Sequence, residues 1–390
     1  MKTEQLNILL LHNKYVINGG EDTVAFNEFE ALKNAGYNAY FMEFNNTNFN
    51  VLNPLTYIFS INSIFNFYSF FKVFIFLHQK KINILHVHNL FYTASPSVFW
   101  AAKLAGVKTI MTVHNYRLFC LSATFFKNGQ PCFECHNKKS FQTGIESKCF
   151  KSSTIASFML AMTINLNKIL GTWHNKIDKF IVVNLFTKEL IIQTGVDQHK
   201  IYFKPNFLNT PSVSLIPATT KEDYYLFVGR LSEEKGLVHL LDGFVKMNKQ
   251  LVLAGEGAFF SNVNALNNPK IQAVGLKSKN DIRELMLKCK ALIFSSIWIE
   301  GMPMTIIEVL SLGVIPIVAF SINTEKMIED KVDGILYDAN DPEGLIKAID
   351  YFEQMTIIEK DNMSKMCEAK FNDMFTEQKH MEKLIDIYAN

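Results

Sequence analysis

Two carboxylates, Glu300 and Glu308, stand eight residues apart on either side of Gly301-Met302-Pro303-Met304-Thr305. Glu300 follows an apolar run, Ala291 to Ser296, and so falls in a loop after a strand. Glu308 lies on the helix that the next stretch predicts, eight residues or over two turns beyond Glu300. Gly301 and Pro303 suit the start of that helix, one by its freedom and the other by its fixed φ. A helix start offers unpaired N–H groups and the positive end of a dipole, which together seat a phosphate. Carboxylates on both sides of such a seat can grip separated hydroxyls of one extended ligand. A nucleotide-sugar has that form: a hexose, a diphosphate and a ribose. The plainer alternative is a solvated loop glutamate and a surface-helix glutamate, and spacing alone leaves both open.

A cationic counterpart lies upstream in Tyr225-Leu226-Phe227-Val228-Gly229-Arg230-Leu231-Ser232-Glu233-Glu234-Lys235-Gly236. An apolar strand runs into Gly229-Arg230, and Lys235-Gly236 opens an apolar-periodic helix. The chain has 39 basic residues, of which only Arg117, Arg230 and Arg283 are arginines. A guanidinium fork and an ammonium point charge can together neutralise a diphosphate without a metal. An ordinary basic loop is the alternative.

These pieces, with Leu253-Ala254-Gly255-Glu256-Gly257, resemble the donor domain of the GT-B glycosyltransferases, specifically the large retaining family 4. The N-terminal half agrees through Leu9-Leu10-Leu11-His12, Asn18-Gly19-Gly20-Glu21-Asp22, His86-Val87-His88-Asn89 and Thr112-Val113-His114-Asn115-Tyr116-Arg117. Where that family usually carries a Gly-Phe-Gly-Leu-Pro run, this chain has Gly301-Met302-Pro303-Met304. The resemblance implies α/β architecture, two doubly wound Rossmann-like domains facing across a cleft. It implies transfer of a sugar from a nucleoside diphosphate sugar of UDP or GDP type, with retention and without a catalytic metal. Glu300, His114, Arg230 and Lys235 are then the catalytic candidates. Gly19, Gly20, Arg230, Lys235, Gly301, Met302, Pro303, Met304, Thr305 and Glu308 are the donor-binding ones. Within that scheme Glu300 holds a sugar hydroxyl, Glu308 the ribose and His114 the donor hexose, while Glu21 and Asp22 face the acceptor.

The elements that must position these groups alternate strand and helix throughout, as parallel sheets covered on both faces require. Six strands are predicted in each half, from Asn7–His12 to Ile201–Lys204 and from Tyr224–Val228 to Gly334–Tyr337. A punctuated stretch around Pro205, Pro211 and Pro217 reads as a linker. The expected domains are 1–205, acceptor-binding and joined by a C-terminal helix at about 372–390, and 206–371, donor-binding. The final helix's return is implied by the resemblance alone. Gly19-Gly20 follows the first strand and allows close backbone approach, but the G-x-G-x-x-G spacing of a dinucleotide fold is missing, which argues against an oxidoreductase. His86 and His88 alternate on one strand and share a face, as a metal pair or as part of the core or acceptor wall.

Composition sets the remaining bounds. At 390 residues, 48% hydrophobic and 19% charged, the chain can bury two full cores. Residues 1–205 hold 20 Lys+Arg and 11 Asp+Glu, a charge of +9, and the remainder hold 19 and 26, a charge of −7. A basic first half suits an anionic lipid surface or a lipid-linked or glycan acceptor rather than nucleic acid. The Phe-rich stretch Val51 to His78 is too polar to span a membrane and reads as an amphipathic helix over Leu55–Gln79, a core helix first and a membrane-surface one as the alternative. The start runs straight into a strand without a signal peptide, so the expected location is the cytoplasm or the inner face of the membrane. Cys120, Cys132, Cys135 and Cys149 crowd one insertion and could cage a structural zinc, or stand as reduced buried thiols. The leading function is a glycosyltransferase of bacterial surface glycan synthesis. A non-catalytic nucleotide-sugar or glycan-binding protein on the same fold is the alternative.

Overall fold

The computed structural model describes residues 6–14, 20–46, 62–209 and 221–390. It divides into two units: Met1–Phe125, Phe133–Asn206 and His380–Asn390 form the first, and Phe126–Cys132 with Phe207–Lys379 form the second. Each is built on a six-stranded sheet in which every described strand pair is parallel.

The first sheet contains β1 (Asn7–Lys14), β2 (Asn38–Asn45), β3 (Ile84–Asn89), β4 (Lys108–Val113), β5 (Lys179–Val182) and β6 (Ile201–Phe203), in the order β2-β1-β3-β4-β5-β6. Its central strands are near-continuous apolar runs, because helices cover both faces. One face packs Ile8, Leu10, Ile84, Ile110 and Ile181 against Leu32 and against Leu384, Ile387 and Tyr388 of the last helix, Glu377–Ala389.

The second sheet contains β7 (Tyr225–Val228), β8 (Leu251–Ala254), β9 (Ile271–Gly275), β10 (Leu292–Phe294), β11 (Pro316–Ala319) and β12 (Ile335–Tyr337), in the order β9-β8-β7-β10-β11-β12. The two-residue period of a strand sorts its core in two. Tyr225, Phe227, Leu251, Leu253, Ile293 and Ile317 point to the face covered by Leu237–Met247 and Gly344–Gln354. Leu226, Leu292, Phe294 and Val318 point to the face covered by Met304–Leu310 and Ile357–Met374. In this doubly wound order, the loops leaving the carboxyl ends of β7 and β10 stand at the switch point where such folds bind ligands.

All twelve expected strands form. The Phe-rich helix differs: residues 55–61 lie outside the described residues, and the described helix spans Phe67–Gln79. Asn66 starts it, its side chain accepting from the Ser69 N–H at 3.2 Å, and an N-cap of this kind ends any helix running in from upstream. The helix expected over Thr154–Trp173 stops at Ile169, and Gly171 takes a left-handed φ of 70° before a short turn.

Candidate functional site

The chain leaves β7 through Gly229 and Arg230, and Leu231 is wholly buried, which anchors the loop while the Arg230 side chain stays exposed. The loop after β8 is pressed against it backbone to backbone. Gly229 N–H donates to the Ala254 carbonyl at 3.0 Å and Leu231 N–H to that of Glu256 at 2.9 Å. A Cβ on Gly255 would stand 2.0 Å from the Gly229 carbonyl oxygen, so this close approach admits no side chain.

The same loop is laced to the one after β10. Ser295 Oγ donates to the Lys235 carbonyl at 2.7 Å, and Ile297 N–H donates to that of Glu234 at 3.0 Å. Gly236, at φ +72°, starts the helix Leu237–Met247, and a Cβ there would lie 2.0 Å from the Ser295 carbonyl oxygen. This lacing brings two expected residues together. Lys235 Nζ donates to Glu300 Oε1 at 2.5 Å, and Ser296 Oγ donates to the same oxygen at 2.7 Å. The Trp298 ring lies 4.9 Å from the ammonium, a cation–π distance, and Asn323 Nδ2 donates to the Glu300 carbonyl. Arg230 pairs loosely with Glu234 at 3.8 Å, both within the same polar turn.

Beyond Glu300 the structure refines the expectation. The helix is Met304–Leu310, shorter than expected, with the buried Pro303 at its N-cap rather than in its first turn. Met302 and Met304 are half-buried and pack against the apolar cluster. Thr305 and Gly301 are half-buried beside them. Glu308 is half-buried on that helix, where burial pushes its carboxyl up against the opposing pull of Lys279.

In the first unit, Gly20 is the exposed first residue of the helix Gly20–Asn34, and Gly19 lies outside the described residues. Asp22 accepts from His12 Nε2 at 2.7 Å, and Asn115 Nδ2 donates to Glu21 at 3.0 Å. His114 follows β4, half-buried, its ring stacked on His88 with centroids 5.2 Å apart. His88 and His86 both face Glu28, and Lys204 and His380 close on the same carboxylate. Glu28, His86 and His88 form the one group among the described residues with three donor atoms gathered at ligand spacing. Its chemistry is that of a hydrogen-bond network. Lys204 Nζ, 2.7 Å from Glu28 Oε2, already supplies a cation, and both nitrogens of His86 are engaged, by Tyr388 and by Thr112.

Sequence reasoning missed Glu28, Lys204 and His380, because their partners are up to 352 residues away. It missed Ser296, Trp298 and Asn323 as the setting of Glu300, although the first two lie inside the apolar run and loop already singled out. The sulfurs of Cys120, Cys135 and Cys149 do not gather at ligand spacing. The insertion instead folds as a two-residue-strand hairpin and short helices, with Cys120 against Ser122 Oγ at 3.2 Å.

Residues 216–370 match the family described as glycosyl transferases group 1. The chain is 23% identical over 332 residues to the Escherichia coli UDP-Gal:alpha-D-GlcNAc-diphosphoundecaprenol alpha-1,3-galactosyltransferase, covering 80% of this chain and 77% of that one. It is similar in structure to a glycosyltransferase from Rickettsia africae, with a TM-score of 0.66 at 16% identity over 98% of both chains. It is also similar to HepE of Anabaena solved with UDP, with a TM-score of 0.67 at 14% identity over 98% of this chain and 100% of that one. These likenesses extend over both units and show the fold, that of the GT-B glycosyltransferases.

Proposed function

We propose that this glycosyltransferase moves a sugar from a nucleoside diphosphate sugar, of uridine type, to a lipid-linked or polysaccharide acceptor in bacterial surface glycan synthesis. The observation that carries the reading is the contact of Lys235 with Glu300 beside the Gly229-Arg230 turn, within the matched residues and at the switch point of the second sheet. Arg230 and Lys235 neutralise the departing diphosphate, the term that contributes most when charge develops on a leaving group. Glu300, placed by Lys235 and Ser296, holds a sugar hydroxyl. Glu308 takes the ribose, and the main chain of Gly301 to Thr305 lies along the phosphates. In the first unit, Gly20 and His114 are assigned to the donor, His114 to its sugar.

Retention is part of the proposal: the leaving phosphate deprotonates the acceptor on the face it departs from. The uridine and the lipid-linked acceptor are supported by the names of the relatives. Membrane contact is supported by the basic half of the chain and by the helix Phe67–Gln79, which exposes Phe67, Tyr68, Phe71 and Ile75. Among the described residues no helix is long and apolar enough to cross a membrane.

A thermal-shift panel of nucleoside diphosphates and their sugars tests the donor, because a ligand that binds only the native state raises Tm. A rise with UDP and a UDP-sugar, followed by transfer with retained configuration to a diphosphoprenyl-linked sugar, is the expected result. Binding without any transfer would favour the non-catalytic alternative, and no rise with any nucleotide would remove the reading.

A further inference from the structure

We propose that Glu28 and His88 are positioning residues that hold His114 in the tautomer whose Nδ1 is a hydrogen-bond acceptor, so that this subsite selects a saccharide hydroxyl and disfavours an anionic group. The inference rests on the proposed role of His114 at the sugar and adds what that role requires of the interior.

Glu28 is fully buried on the helix Gly20–Asn34. Its Oε2 accepts from Lys204 Nζ at 2.7 Å and from His380 Nε2 at 2.8 Å, and its Oε1 lies 3.1 Å from His88 Nε2. Burial pushes this carboxyl up, but the Lys204 ammonium, helped by the His380 hydrogen bond, holds the group well below the usual range, so it is ionised. An ionised carboxylate only accepts, so His88 Nε2 carries the hydrogen. The Lys204 ammonium already balances the Glu28 charge, and a second buried cation on His88 would be costly. Burial accordingly lowers His88 to about 3 against the opposing pull of Glu28, and the ring is neutral.

A neutral His88 with a hydrogen on Nε2 has only a lone pair on Nδ1. His114 Nε2 lies 2.9 Å from that atom and must therefore be the donor. Burial foremost, with the Lys204 ammonium adding to it, holds His114 well below its ordinary range, so it too is neutral. Its one hydrogen is spent inward and its Nδ1 is left as an acceptor, with no hydrogen bond among the described residues. A sugar hydroxyl can donate to it, whereas a phosphate oxygen would meet lone pair against lone pair.

Imidazole nitrogen NMR of the full chain reads the tautomer directly. The expected result is His114 with hydrogen on Nε2 and bare Nδ1 throughout pH 6–8. His114 found protonated on Nδ1, or on both nitrogens, overturns the relay. His88→Leu removes the acceptor and should raise the KM for the donor ~10-fold, the loss expected for one buried hydrogen bond, with a smaller effect on kcat. His88→Gln should restore it, because a carboxamide can donate to Glu28 and accept from His114 at once. Tm is recorded for both variants, and a Gln variant as defective as Leu at equal Tm overturns the proposal. Failure of the underlying reading is separable: His114→Ala with unchanged KM for every donor removes the sugar from this subsite whatever the tautomer.

Discussion

The ammonium of Lys235 stands 2.5 Å from a carboxylate oxygen of Glu300, sixty-five residues further along the chain. The two groups assigned to the diphosphate and to the sugar thus share one hydrogen bond, with Ser296 on the same oxygen. An arriving diphosphate competes with Glu300 for Lys235. Glu300→Gln removes that competition and the charged grip on the sugar together. It should lower kcat about 10²–10³-fold, the range seen on losing one charged contact at a reacting centre, while nucleoside diphosphate binds more tightly as a product inhibitor. Lys235→Ala should lower kcat comparably and weaken that inhibition. Steady-state rates with diphosphate titrations separate the two, and equal inhibition constants in wild type and both variants would show that Lys235 does not meet the phosphates.

The junction that makes this contact can be broken without touching either charge. Gly236 sits at φ +72° with the Ser295 carbonyl where a Cβ would go. Gly236→Ala combines left-handed strain with a backbone clash and should cost about 2–4 kcal/mol in urea denaturation. Gly36 is the control, at φ +86° with nothing within 4 Å of an added Cβ. Gly36→Ala should cost about 1 kcal/mol, the conformational part alone. Equal losses in the two variants would mean that the loops after β7 and β10 yield to the intrusion.

Why the strands were legible and the polar interior was not follows from range. Each strand is an apolar run of a few residues ended by glycine or a polar turn, so period and punctuation suffice, as at Leu226–Val228 before Gly229. The Lys235–Glu300 pair was legible as two motifs but not as a contact, because nothing in the sequence says that Ser295 will fasten to the Lys235 backbone. Met302 and Met304 stand in the run that the motif marks, and their packing on the core cluster, which burial favours, is set by residues from several elements. The cysteines look like a cage because C-x-x-C is a local pattern, whereas a cage needs convergence in space. The Glu28 network is the extreme case: its members come from both ends and the middle of the chain.

That network makes stability depend on pH. Burial lowers His88 to about 3, His380 to about 4 and His114 well below its ordinary value, so all three are neutral in the native state. Unfolded histidines take up protons below about 6.5. The unfolded chain therefore binds more protons than the native one as pH falls, and stability drops from about pH 6.5 downward. Protonation of Glu28, whose native form is held ionised, adds to the loss below about pH 4.5. Near pH 5 unfolding should take up roughly three protons through these histidines. Calorimetry between pH 7.5 and 4.5 measures this, and a Tm that is flat or rises on acidification contradicts it. His380→Gln, which keeps a donor to Glu28, should shallow the dependence by about one proton.

Arg230 offers the cleanest separation of binding from stability. Its guanidinium is exposed and its pairing with Glu234, at 3.8 Å, is a surface contact of the kind that contributes little. Arg230→Ala should therefore leave the unliganded Tm within about 1–2 °C of wild type. If the guanidinium grips the diphosphate, the same variant loses most of the Tm rise that UDP produces, because that rise scales with the logarithm of ligand over Kd. Arg230→Lys keeps the charge and loses the two-pronged fork, so its shift should fall between the two. A full UDP-induced rise in Arg230→Ala would leave Lys235 as the cation to test next, and would withdraw Arg230 from the leaving-group site.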